Sequence, residues 1–312
     1  VLGREMGDKK ELIGAAVESD NRFTHQARML QGWYRAFVLK IPQGIGPTKN
    51  SKRLLPNMIP YQPGEIPPYN FLTPSIYQYA MERLQRKDIG GTIEEFRLFH
   101  NMLSSQPMAF NLFAPLAQNL DLATMVFQSI YPDIRRVTEI IIEYAPLPVN
   151  EYLGDKTAFD VFIDYRNESN QRGFIGIEIK YTETFSPTEY VTPRYQELTN
   201  SSSSPFSKGT DLLKKYNQLW RNTLLAYSMI VHPKSVYQQG HTLLVYMKED
   251  EAVDQMLPGF RDCLKNPQRW IKAMDVREFI KVLQKLSPSQ DEQKWIDDFT
   301  SRYLRFDLVE GH

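Results

Sequence analysis

Residues 173–183, GFIGIEIKYTE, constrain this chain more than any other stretch. Side chains alternate along a strand. Ile175, Ile177 and Ile179 therefore share a packed face, while Phe174, Gly176, Glu178 and Lys180 share the other. Residues 158–165, AFDVFIDY, read as a second strand, with Asp160, Phe162 and Asp164 on one face and Phe159, Val161, Ile163 and Tyr165 on the other. The connection RNESNQRG is polar and turn-like, so the two strands are expected to pair as an antiparallel hairpin.

A loop centred on Ser169 puts Asp160 opposite Glu178, with Cβ atoms about 4.5–5.5 Å apart. Asp164 then lies opposite Phe174, about 13 Å along the strand from Asp160. An odd shift of register would send Asp160 and Glu178 to opposite faces. Facing carboxylates repel as a structural device. A hard divalent cation such as Mg²⁺ between them removes the objection, since it takes carboxylate and carbonyl oxygens. Asp160, Glu178 and the backbone carbonyl of Ile179 would supply three. Lys180, on the face of Glu178, would reach a phosphate oxygen or an attacking water. The plain alternative is a half-exposed strand with a cross-strand ion pair of little energetic worth. The all-isoleucine opposite face and the aspartate at matching register argue against it.

The rest of the chain is organised around this hairpin. Residues 1–40 read as helical, through the apolar spacing of HQARMLQGWYRAFVLK. Eight prolines between Pro42 and Pro74 exclude a regular helix or central strand there. Helical periodicity returns at 74–87, 92–103 and 113–131. Residues 135–144, RRVTEIIIEY, are β-branched and read as the first strand of the core. Its Glu143 or Glu139 would add a carboxylate to the metal site, or serve only as a strand-end charge. Residues 209–231 read as one amphipathic helix with an apolar stripe of Leu212, Tyr216, Leu219, Trp220, Thr223, Tyr227 and Ile230. Residues 241–247 read as a fourth strand, which the helix as a crossover would set parallel to a neighbour. From about Asp250 the chain is expected to be helical. The fold class is thus α/β with a mixed sheet flanked by helices. The organisation expected is an N-terminal helical and Pro-rich extension (1–91), a core (92–249) and a C-terminal helical extension (250–312).

Composition narrows the function classes. Lys plus Arg and Asp plus Glu each number 37, so no global basic charge marks a nucleic-acid binder, although a local basic groove stays open. The single cysteine, Cys263, excludes an internal disulfide framework and fits a reducing, cytoplasmic setting. The opening residues are charged and have no apolar run of signal-peptide type, and no stretch is long and apolar enough for a membrane span. The five histidines show no ligand spacing. No G-x-S-x-G elbow or dinucleotide fingerprint is present.

Asp160, followed on the next strand by Glu178-Ile179-Lys180, resembles the PD-(D/E)xK signature of the restriction-endonuclease-like nuclease superfamily. Its core of helix, three-stranded meander, helix and further strand is similar to residues 92–247. KYNQLWRN, residues 215–222, stands where many members carry a Gln-containing motif. SSQPMAFNLFAPL, residues 104–116, resembles a stretch of a bacterial subfamily of such proteins that has no assigned substrate. One departure is Ala158-Phe159 before Asp160 where the signature has Pro.

The resemblance implies a restriction-endonuclease-like fold and a phosphodiesterase using Mg²⁺ or Mn²⁺, acting on nucleic acid and by expectation DNA. Asp160 and Glu178 would be metal ligands, Lys180 the catalytic lysine and Gln218 a site residue. Arg221, Lys215 and Lys214 would touch phosphates, the bland reading being a solvated helix face. A homodimer would suit cutting of both strands. The competing reading is a catalytically weak or inactive nuclease-fold module that binds nucleic acid or a protein partner. A glycosidase-like pair of acids gives Lys180 no role.

Overall fold

The computed structural model describes residues 10–183, 185, 189–286 and 289–310. Residues 1–9 of the expected N-terminal helical segment, and His312, lie outside the described residues. Contacts divide the chain into two compact units: Val1–Met81, Glu94–Leu112 and Ser287–His312, and Glu82–Ile93 with Phe113–Leu286.

The first unit is built on the helix Arg22–Trp33, capped by the Asn21 side chain and continued by a wide π-helical turn, Tyr34–Leu39. The Pro-rich segment is extended, as its prolines require, apart from a two-stranded ribbon, β1 (Gly44–Ile45) and β2 (Leu54–Leu55), and a 3-10 turn at Pro68–Asn70. Two buried arginines tie it down through main-chain carbonyls, Arg35 also reaching back to the chain before the first helix. Arg35 donates to Pro56 at 2.8 Å and Leu12 at 2.6 Å, and Arg302 donates to Asn70 at 2.9 Å. The cost of burial falls on the charge: Arg35 is pushed down to about 10.

The second unit holds a five-stranded sheet in the order β3 (Ile134–Tyr144), β4 (Phe159–Asn167), β5 (Arg172–Lys180), β6 (Gln239–Tyr246) and β7 (Ile271–Asp275). The first three form an antiparallel meander, and β6 runs parallel to β5 as the crossover predicts. The β4–β5 ladder pairs Val161 with Ile177 and Asp164 with Phe174, the register expected from the loop. The helix Asn217–Val231, the crossover, lies against the face of Phe162, Phe174 and Leu244 through Leu219, Trp220 and Leu224. The helices Leu120–Ile130 and Val276–Lys285 pack on β3, on β7 and on each other. This is the α/β mixed sheet flanked by helices that the pattern called for.

Several elements differ from expectation. β7 lies within the stretch expected to be wholly helical and runs parallel to β6, from Thr242 opposite Ile271 to Tyr246 opposite Asp275. Five residues leading straight into an amphipathic helix are too short to show their own period. Residues 113–131 are not one helix: Ser105–Gln118 ends where the Asn119 side chain caps Leu120–Ile130. The helix expected at 92–103 shortens to Glu95–His100, with Glu94 as its cap. Residues 209–231 break into Thr210–Leu213, a 3-10 turn at Lys214–Tyr216 and the crossover helix, which leaves Leu212 exposed and off the apolar stripe.

Phe159 departs from strict alternation. The β3–β4 ladder pairs Ile142 with Val161 and Tyr144 with Phe159, and between them Glu143 takes φ +60°, a step out of regular strand conformation. That step turns Tyr144 and Phe159 to the side of Phe162, where Tyr144 stacks at 4.1 Å between ring centroids. The Phe159 ring then occupies the space above Gly176, where a Cβ would lie 2.3 Å from it. Gly176→Ala should therefore destabilise the fold by about 1–3 kcal/mol, an overpacking cost. Chemical denaturation measures it, and Phe159→Leu in the same chain should recover part of the loss. Equal stability of Gly176→Ala and the native chain would rule this packing out.

Candidate active site

The carboxyl ends of β5 and β6 meet the start of the crossover helix, the place where open α/β sheets bind ligands. The β4–β5 ladder ends at Val161 and Ile177, and beyond it a side chain takes over: Asp160 Oδ2 accepts the Ile179 N–H at 2.7 Å. Asp160 thereby stands beside Glu178, one residue past the last pair. On its other flank is Glu143, at the positive-φ step of β3, close enough to raise the Asp160 carboxyl. Three carboxylates thus lie in a row across three adjacent strands.

Glu143 is held in its left-handed conformation from outside the sheet. Arg83 is buried and donates through Nε to the Ile142 carbonyl at 2.7 Å, through Nη2 to the Gly90 carbonyl at 2.9 Å, and also to the Glu143 carbonyl. Gly91 has φ +110°, and a Cβ there would fall 2.1 Å from the Glu143 oxygen. Only glycine permits both the conformation and the approach.

Glu178 and Lys180 are buried, at 8% and 5% exposure, so their charges cannot be read as a solvated surface pair. Lys180 Nζ lies 3.2 Å from Glu178 Oε1 and donates to Gln218 Oε1 at 2.7 Å. Gln218 donates its amide to Glu178 Oε1, so it bridges the acid and the lysine. Asn222, one turn further along the helix, donates to Glu178 Oε2 at 2.8 Å. Sequence reading passed over Asn222; its signal was the spacing of four from Gln218, which puts both amides on one helix face. Asp250, the cap of the helix Glu251–Arg261, is also near: burial raises its carboxyl, while the Ala252 N–H and the Lys180 charge pull it down.

The remaining candidates fall into place around this centre. Arg221 donates to Thr157 Oγ1 through Nε at 3.1 Å and Nη2 at 2.8 Å, three residues before Asp160. Lys215 is exposed, and Lys214 stands 3.8 Å from both Glu189 and Asp211. Glu139 is exposed opposite Asp164, toward the other end of the strands. Asp164 belongs to a separate, closed network: it accepts from Arg172 at 2.7 Å, Thr138 at 2.8 Å and Tyr237 at 3.1 Å.

Asp160 has no such relief. Burial raises its carboxyl well above 3.8, the facing Glu178 and Glu143 raise it further, and the Ile179 N–H and Lys180 only partly offset them. Its Oδ1 accepts no hydrogen bond among the described residues. This surplus of negative charge on oxygen donors suits a hard divalent cation. Among the described residues no three His, Cys, Asp or Glu side chains are already gathered around one point. A cation here would rest on two carboxylates, Asp160 and Glu178, and on main-chain oxygen such as that of Ile179, with Glu143 at hand.

A family model described as PD-(D/E)XK nuclease superfamily matches residues 18–305. The chain belongs to this superfamily. The match spans most of both compact units. No curated protein and no solved structure gives a significant match. Among the described residues no helix is long and apolar enough to cross a membrane.

The charge surplus has a consequence for stability. Well below pH 3.8 Asp160 is protonated folded or unfolded and contributes nothing. As pH rises the unfolded chain ionises freely and the folded chain resists, so folding is penalised, in full above the raised folded value. Asp160→Asn keeps an oxygen for the Ile179 N–H and removes the penalty. Its Tm at neutral pH should exceed the native value by about 2–4 °C per ~1 kcal/mol relieved. The gain should vanish in acid. A lower Tm at neutral pH would contradict the electrostatic picture.

Proposed function

We propose that the chain is a metal-dependent nuclease that hydrolyses phosphodiester bonds of DNA. The observation that carries the reading is the row Glu143, Asp160, Glu178 with Lys180 hydrogen-bonded into it, at the sheet end where ligands bind. Membership of the nuclease superfamily supports it.

In this reading Asp160, Glu178 and the Ile179 carbonyl hold Mg²⁺ or Mn²⁺, with Glu143 as a further oxygen donor. Such an ion, when bound, polarises a phosphoryl oxygen and makes water more acidic. Lys180 acts with its own protons. An ammonium has three donors; Gln218 and Glu178 take two, leaving one for a phosphate oxygen or the attacking water. Donation there stabilises the charge that develops on the phosphate. Gln218 positions the ammonium by linking it to Glu178, and Asn222 fixes the other Glu178 oxygen. Arg221, Lys214 and Lys215 contact flanking phosphates, a term that weakens with salt.

One observation favours a second reading, a module that binds without cutting. Both Glu178 oxygens already accept donors, so a cation must compete with Gln218, Asn222 and Lys180 for them.

The purified chain with Mg²⁺ or Mn²⁺ should cut DNA. Lys180→Met and Asp160→Asn should lower the rate by about 10²-fold or more while leaving the melting curve cooperative. Calorimetric titration should show Mn²⁺ binding that is lost in the Asp160→Asn, Glu178→Gln double variant. Binding without cutting would select the second reading, and cutting that ignores Lys180 and Asp160 would sink the first.

A further inference from the structure

Tyr190 is a large aromatic beside the site to which the proposed chemistry gives no role. Its side chain is 44% exposed. A lone exposed aromatic is ordinary; the way this one is held is not. Its carbonyl accepts the Asn217 amide at 2.7 Å, and Asn217 immediately precedes Gln218 on the crossover helix. The Arg221 guanidinium lies 5.6 Å from its ring centroid, within cation–π range. Tyr195 meets it edge-on, with centroids 6.0 Å apart and planes at 80°.

These supports tie the ring to the site. Arg221 is fixed by Thr157 Oγ1, itself buried and three residues before Asp160. Its Nη1 donates to nothing among the described residues. The same helix face therefore carries Gln218, which holds Lys180, and the residues that hold Tyr190. An anchored ring backed by a cation, with a guanidinium nitrogen to spare for a phosphate, has the parts that bind one nucleotide without reading its identity.

We infer that Tyr190, supported by Arg221, is a stacking platform for one unpaired nucleobase next to the phosphodiester presented to Asp160, Glu178 and Lys180. This rests on the nucleic-acid reading above and narrows it to strands with an unpaired nucleotide: single strands, flaps or overhangs. A base inside a duplex is stacked on both faces and has none to offer the ring.

The test uses the whole chain with Ca²⁺ in place of Mg²⁺ and a single-stranded DNA oligonucleotide containing 2-aminopurine, whose fluorescence is quenched on stacking. The native protein and Tyr190→Phe should bind and quench the probe alike. Tyr190→Leu should lose the quenching and bind about ten-fold or more weakly. All three chains should melt in the same cooperative transition, which a variant with a damaged fold would not do. No quenching by the native protein, or equal binding of the single strand by Tyr190→Leu, overturns the inference. Tyr190-dependent quenching without any Lys180-dependent cleavage supports the platform and overturns only the nuclease reading.

Discussion

The hydrogen bond from the Ile179 N–H to Asp160 Oδ2 stands where the β4–β5 ladder has just ended. Along the rest of the hairpin, main chain meets main chain and side chains are free to pack. At this one position a carboxylate occupies the strand's own donor. Asp160 is thereby pinned beside Glu178, with Glu143 facing it from the other side. The step that lets Glu143 adopt φ +60° and the turn of Tyr144 and Phe159 onto the helix-covered face occur at this same level of the sheet.

The crossover helix completes what the strands begin. Its break at Lys214–Tyr216 makes Asn217 and Gln218 first-turn residues at the carboxyl end of β5. From there a few neighbouring side chains divide the work. Asn217 anchors the Tyr190 backbone, Gln218 links Lys180 to Glu178, Arg221 reaches Thr157, and Asn222 holds the second Glu178 oxygen. Residues 209–231 do not form one continuous helix. The crossover helix starts where polar side chains can reach the strand ends, while Trp220 and Leu224 still fill the core.

The strands of the meander, the hairpin register and the separation of Asp160 from Asp164 were legible because they depend on local alternation and a symmetric loop. The parallel crossover was legible because a helix between strands leaves few alternatives. Phe159 was not, since its orientation depends on Glu143, whose conformation is held by Arg83 and Gly91 from distant positions in the chain. Asn222 was visible only as a spacing, because an amide four residues from Gln218 acquires meaning once Glu178 is seen to lie beneath both. β7 was hidden by its brevity and by the strong helical period that follows it.

Asp160 and Asp164 stand on one strand, and their contrast shows how environment assigns their parts. Asp164 is buried with its charge answered by Arg172 and its oxygens by Thr138 and Tyr237, so its network is closed. Removing one member would strand a buried charge, the costly way to break such a pair. Asp160 is left with one backbone donor, a shared lysine and two neighbouring carboxylates. Packing alone would select against that arrangement, since an apolar residue at 160 would relieve it at once. The fold instead devotes Gly91, the buried Arg83 and the Gln218–Asn222 pair to holding the acids at close quarters. In the proposed reading, the charge that Lys180 answers only in part is met by a hard cation from outside the chain, which oxygen donors without a thiol or imidazole among them would suit.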